Sequence, residues 1–331
     1  MMLQSARAVV ATTVEWMTSK PRATTSLYLL RSVVGLLGLM YYLVDYEDRR
    51  WLFGPTGVYG SGAVRETVRD LGTFDLYVLS DSTVYFESLF HIGIILSGAV
   101  LLGLGGRVVL AAHYVFLWSI YTQNVALLDG GDNLLMIVVP VLLLTRCYSR
   151  FRLPLPRVFR MRRPGSVAAT LNNMGLLVIA GQICIVYLMS GLYKVQGQMW
   201  QDGTALYYIL RVPEFYFPGV TELLFMSDFA LVLGAYGTVL SAVFFPVMVL
   251  FRRGRLPAVL LMTTFHLGIA FFMGLTAFAA IMIACDLVFV DRHVIAGRRR
   301  LRTLLTTAAR RLSASPPVPP RPTPTTEGAT P

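Results

Sequence analysis

Apolar stretches of roughly 15 to 23 residues recur along this chain, the length an α-helix needs to cross the roughly 30 Å hydrocarbon layer of a bilayer. Lipid offers no partner for backbone N–H and C=O groups, so such stretches fold as helices that satisfy their own main chain. Of the 331 residues, 55% are hydrophobic and 14% are charged. An ordinary soluble domain carries about 25% charged residues. With so little charge the chain cannot cover a water-exposed surface, which excludes a soluble fold and leaves a multi-span membrane protein.

The apolar runs place spans near 27–45, 84–104, 107–123, 132–146, 170–193, 229–251, 256–274 and 275–290. The expected architecture is an all-α, polytopic membrane helix bundle of about eight transmembrane helices. Gly105-Gly106 and Gly274 leave almost no loop between their flanking runs, so those pairs read as helical hairpins. Lys and Arg concentrate in short cytoplasmic loops. With the N-terminus inside, the cytoplasmic segments hold 22 of the 29 basic residues and the opposite side 5, while Arg31 and Lys194 lie within or at the end of spans. Both termini are therefore expected in the cytoplasm, with residues 1–24 as an N-terminal segment and the transmembrane domain over 25–291. Residues 292–331, rich in Arg and then Pro, are expected to be a disordered cytoplasmic tail. The chain opens without the basic start, apolar core and small-residue cleavage site of a signal peptide, so insertion is expected to rely on the first span.

The net charge of +11 sits mostly between or beyond the apolar runs. That favours the lipid bilayer of the cell membrane over nucleic acid as the partner. Cys147, Cys184 and Cys285 lack the paired spacing of a disulfide framework or zinc site, and no metal is expected. The long connections 46–83 and 194–228 both fall on the outer side and carry more acid than base. The second is aromatic-rich and is expected to hold a short interfacial or re-entrant helix.

Ionisable groups at membrane depth are costly and usually face a cavity or each other. Glu87 and His91 lie one helical turn apart in span two; Asp129, Asp132 and Asn133 mark the start of span four; His113 and His266 lie within spans three and seven. Lys194, one of only two lysines, ends span five on the helical face that carries Tyr187 and Gly191. The topology brings Glu87, His91, Asp132, Asn133 and Lys194 to a similar outer depth. Each also has a structural reading. Lys194 can snorkel to the headgroups, Asp132 can cap a helix, Glu87 can pair with His91, and the two span histidines can bond between helices. The Gly-Leu-Gly-Gly at 103–106 joins two spans and reads as a tight turn rather than a phosphate-binding loop.

The segment SGLYKVQGQMWQDGTALYYIL at 190–210 resembles the signature of the horizontally transferred transmembrane (HTTM) domain family. DYEDRRWLFGPTG at 45–57 and YTQNVALLDGGDNLL at 121–135 resemble further motifs of that family, and the likeness covers most of 25–290. The family includes the membrane part of the vitamin K-dependent gamma-carboxylase and the sporulation-delaying protein B group, which is involved in maturing a secreted peptide toxin. The resemblance implies an enzyme acting on a reduced naphthoquinone of the vitamin K hydroquinone type, a membrane-proximal peptide, or both. By its distance from Gly191, Lys194 matches the lysine implicated as the carboxylase's base. His91, Asp132, Asn133 and His266 are the expected substrate-binding residues, in a cavity formed by spans two, four, five and seven, with Trp200, Asp202 and Gly203 at its mouth. The chain departs from the carboxylase in three places. Trp200 follows Lys194 by six positions, one more than the carboxylase spacing, Asn133 stands where the carboxylase has a histidine, and with an Arg/Pro-rich tail following Asp291 the carboxylase's lumenal domain is expected to be missing. The resemblance also allows a non-catalytic partner in maturing or exporting a small peptide, or a lipid- or quinone-binding protein without turnover. Transport ranks below these, since no internal repeat is visible.

Overall fold

The computed structural model describes residues 2–148 and 165–297, together with Arg299 and Thr303. The helices are α1 Met2–Thr18, α2 Thr24–Val44, α3 Arg49–Phe53, α4 Gly60–Asp70, α5 Thr83–Leu102, α6 Gly106–Gln123, α7 Gly130–Leu142, α8 Gly165–Gln196, α9 Gln198–Gln201, α10 Ala205–Ile209, α11 Thr221–Phe225, α12 Asp228–Leu250, α13 Arg255–Met273 and α14 Thr276–Asp286. The described residues up to Asp291 form one compact unit, and those from Arg292 on belong to a second. In the second, 292–297 are helical; most of the expected tail, like the basic loop at 149–164, lies outside the described residues.

The eight expected spans fall on α2, α5, α6, α7, α8, α12, α13 and α14, the last extended by a 3₁₀ turn at Leu287–Val290. Five of them, α2, α5, α8, α12 and α13, are long and apolar enough to cross a membrane, which makes this a multi-pass membrane protein. The other three fall short for identifiable reasons. α6 carries Arg107, His113 and Gln123, while α7 and α14 span 13 and 11 residues. α7 and α14 pack against each other and against α2 and α8. Their Leu134, Leu135, Val138, Val139, Ile281 and Met282 sit in the buried core, so protein rather than lipid surrounds much of their surface.

Local chemistry sets the helix ends. Gly103 (φ 77°) and Gly105 (φ 68°) adopt the left-handed backbone that lets α5 turn directly into α6, so 103–106 is the tight turn expected. Ser82 caps α5 by accepting from Tyr85 N at 3.4 Å. Asp129 and Asp132 form a reciprocal capping box at the start of α7. Where helices cross, small residues let backbones approach, as expected when association rests on close packing. A Cβ on Gly35 would strike the backbone at Leu101 of α5, and one on Gly191 would meet Val243 of α12.

One end of the bundle is tied together by side chains that bond to main chain. Asp291 accepts from Thr25 N at 3.1 Å and Ser26 N at 2.8 Å, capping α2 from the far end of the sequence. Asn173 accepts from Arg22 N at 2.9 Å and donates to the carbonyls of Trp16, Met17 and Lys20. Its neighbour Asn172 accepts from Arg146 N at 2.9 Å. Arg107 donates to Leu143 O and Thr145 O, both at 2.7 Å, beyond the C-terminus of α7. From Asn173 to Lys194, α8 rises about 32 Å at 1.5 Å per residue, close to one hydrocarbon thickness.

Candidate functional site

At the other end lie the starts of α5, α7, α12 and α14, the ends of α2, α6 and α8, and the connections between them. This end is acidic: of the chain's 18 Asp and Glu, 14 lie in 45–87, 129–132 and 194–228, alongside six Lys and Arg.

The 190–210 motif folds as the last turn of α8 followed by α9 and α10. Gly191 admits α12 beside it, and Gly203, with φ 72°, packs on Val232. Tyr236 of α12 donates to Gln201 O at 2.6 Å, fastening the α9 turn to α12. Lys194 is half-buried, its Nζ donating to Ser190 Oγ at 2.6 Å and lying 5.4 Å from the centre of the Trp200 ring. Among the described residues no carboxylate lies within ion-pair distance of it. One helical turn and more below, Tyr187 donates to Asp286 Oδ2 at 2.7 Å, with the His266 ring 5.8 Å from the Tyr187 ring. His266 is buried and donates from Nδ1 to Met262 O of its own helix at 2.8 Å, which leaves Nε2 the unprotonated nitrogen of the neutral ring.

Two cavities open at this end. The first, about 280 Å³, lies between α2, α7 and α14; Leu37, Met40, Leu135 and Ile281 form its apolar part, and Asp45, Asp129 and Asp132 its acidic part. It lies where α7 and α14 begin, beside the last turns of α2. Asp132 Oδ1 accepts from Tyr121 Oη at 2.5 Å, and its Oδ2 from Asp129 N at 3.0 Å. The second, about 360 Å³ and shallow, is lined by Arg50, Thr83, Val84, Glu87, Ser88 and His91. There Glu87 pairs with Arg49 at 3.0 Å and with Arg50, while His91 donates from Nδ1 to Glu87 O at 2.7 Å and accepts from Tyr46 Oη at 2.8 Å.

These two cavities divide two of the expected site residues between them. Asp132 lines the first and His91 the second, and Lys194, Trp200, Asp202, Gly203, Asn133 and His266 line neither. Asn133 and Asp202 are exposed, and His266 sits in the core. Asp132 does cap α7, and His113 reaches across to Ser97 Oγ of α5 at 3.3 Å, as their structural readings had it. Glu87 turns chiefly to two arginines that follow α2 rather than to His91. The 194–228 connection holds three short helices instead of one. Two buried charged groups lay unremarked as site candidates in the apolar runs. Asp286 is fully buried with Oδ1 unpartnered, and Arg31 is fully buried between the rings of Tyr28 and Tyr148. A charged letter inside an apolar run was the signal for both. Among the described residues no group of three or more His, Cys, Asp or Glu is arranged to hold a metal.

The chain is 23% identical to Sporulation-delaying protein SdpB of Bacillus subtilis (strain 168) over 270 residues, 79% of this chain and 80% of that protein. No solved structure matches it significantly. The HTTM domain family matches residues 72–293, from the approach to α5 past the end of α14, including two of the three motifs read from the sequence but not 45–57. With Lys194, the capping box and both hairpin turns inside a match that covers more than half of its length, the chain belongs to the HTTM domain family.

Proposed function

We propose that this HTTM protein crosses the cell membrane eight times with both termini in the cytoplasm, and that its acidic, extracytoplasmic end carries out carboxylase-like chemistry with Lys194 as the general base. The orientation is supported by the 22-to-5 division of basic residues. The chemistry is supported above all by the setting of Lys194: a half-buried amine held on a neighbouring hydroxyl and against an indole, with no carboxylate in reach among the described residues.

The side chains around Lys194 fit a reduced naphthoquinone in kind, since Trp200 offers a flat face for an aromatic ring and Ser190 a hydroxyl beside the amine. Such a group supplies an acidic phenol and, with oxygen, the oxidising power that side chains lack. Lys194 Nζ takes the phenolic proton. Ser190 fixes the amine's direction, and Trp200 with the flanking exposed Tyr193 and Val195 keeps one side apolar. The test is epoxide formation by the purified protein in nanodiscs given reduced naphthoquinone, oxygen and bicarbonate. Epoxide that disappears in Lys194→Ala supports the reading, and activity retained in that variant removes Lys194 from the mechanism. A second reading, a partner in processing or export of a small peptide, draws on the similarity to SdpB. Absence of epoxide from folded protein with several quinones would favour it.

A further inference from the structure

We infer that the cavity between α2, α7 and α14 is a docking site for a cationic peptide that inserts an apolar side chain or its amino end. This goes beyond the Lys194 chemistry and does not depend on turnover. The cavity measures about 280 Å³, at or below the lower limit of the roughly 300–1,000 Å³ pockets that enclose whole small ligands. It suits one or two side chains better than a bicyclic quinone with its tail.

Its chemistry selects the charge of the occupant. Asp45, Asp129 and Asp132 surround an apolar floor that includes Leu37 and Ile281, and no basic residue lines it. Low-dielectric walls strengthen the field of those carboxylates at the mouth. Asp129 accepts from Gly131 N at 2.6 Å and Asp132 N at 3.1 Å, and Asp132 accepts from Tyr121 and from Asp129 N. Those two acids are therefore fixed in place by the α7 capping box and act through their field. Tyr41, on the cavity wall, adds an aromatic face to the apolar lining.

The surroundings favour a peptide over a lipid amine. The whole end bears 14 acidic and six basic side chains although the chain as a whole is +11, so an extended cationic chain meets attraction well beyond the cavity. A zwitterionic headgroup brings a phosphate next to its amine, which the three carboxylates repel.

The experiment uses the full chain in phosphatidylcholine nanodiscs and fluorescent short peptides of leucine and lysine, or of leucine and glutamate, with empty discs subtracted. The lysine peptide is expected to bind at least about tenfold more tightly than the glutamate peptide, and less tightly as salt rises. Thr276 and Ala277 are exposed residues on the rim, so Thr276→Lys and Ala277→Trp are compatible with the fold. Each should weaken the lysine peptide by about tenfold. Lys194→Ala should leave it unchanged, which separates this site from the quinone chemistry. Equal binding of the two peptides, or wild-type binding by both rim variants, overturns the proposal.

Discussion

The two ends of the bundle differ in what their polar groups leave open. At the Asn172–Asn173 end, side chains reach across the sequence to main-chain groups: Asp291 caps α2, Asn173 holds the α1–α2 connection, and Arg107 holds the segment after α7. At the Lys194 end, acidic caps are local, two cavities remain, and Tyr41 keeps an unpartnered hydroxyl. Long-range polar ties also reach the second end, where Thr122 and Gln123 donate to Asp75 and Leu76 N to Ser119, yet that end leaves acidic fields and hollows facing outward. The difference teaches where to look for function: groups that complete the fold cannot also be free to meet a ligand.

Breaking the tied end should give the largest effect. Asn173→Ala removes one acceptor and three donor bonds to half-buried main chain, and should destabilise the protein by about 2–3 kcal/mol, read as thermal unfolding in detergent. Asp291→Ala, which uncaps α2, should cost about 1–2 kcal/mol in the same assay. If either variant melts like the parent, the contrast between the ends fails. Lys194→Ala should shift stability by less than about 0.5 kcal/mol while abolishing any quinone-dependent turnover, a combination expected only of a group not used by the fold.

The smallest effect concerns pH. Arg65 donates to Asp81 at 2.6 Å and, with Ser61, holds that exposed carboxyl below the usual aspartate range. A depressed folded value means the tie is present in full above about pH 4 and is lost as pH falls through the lower folded value. Hydrogen exchange over 60–82 should therefore rise in that acid range. Arg65→Ala should remove the pH dependence there and leave exchange at the tied end unchanged.

Much of this was legible beforehand because membrane helices announce themselves through run length. The eight apolar helices lie near the expected boundaries, and the turns at Gly103–Gly106 and Gly274 came with the residues that left-handed backbone favours. The Asp129–Asp132 capping box was half visible, since an acid ahead of an apolar run is a helix-start signal. Which residues line which cavity was not legible: Asp132 lines one and His91 another. Spacing reports the face and height of a residue on its own helix, but says nothing of the angle at which that helix enters the bundle.

Composition and period thus dictate that the chain forms apolar helices, how long they are, and how charge divides between the two ends. The partners of those helices follow from packing. Gly35 and Gly191 permit close crossings that their letters alone do not assign to α5 and α12, and Asp291 finds the start of α2 across the length of the chain. The short α7 and α14 become interior because longer helices close around them, and the cavity beside Asp132 is the space left where they begin. Local sequence carries short-range torsional and hydrophobic preferences, whereas a cavity is a property of several helices at once and exists only after they meet.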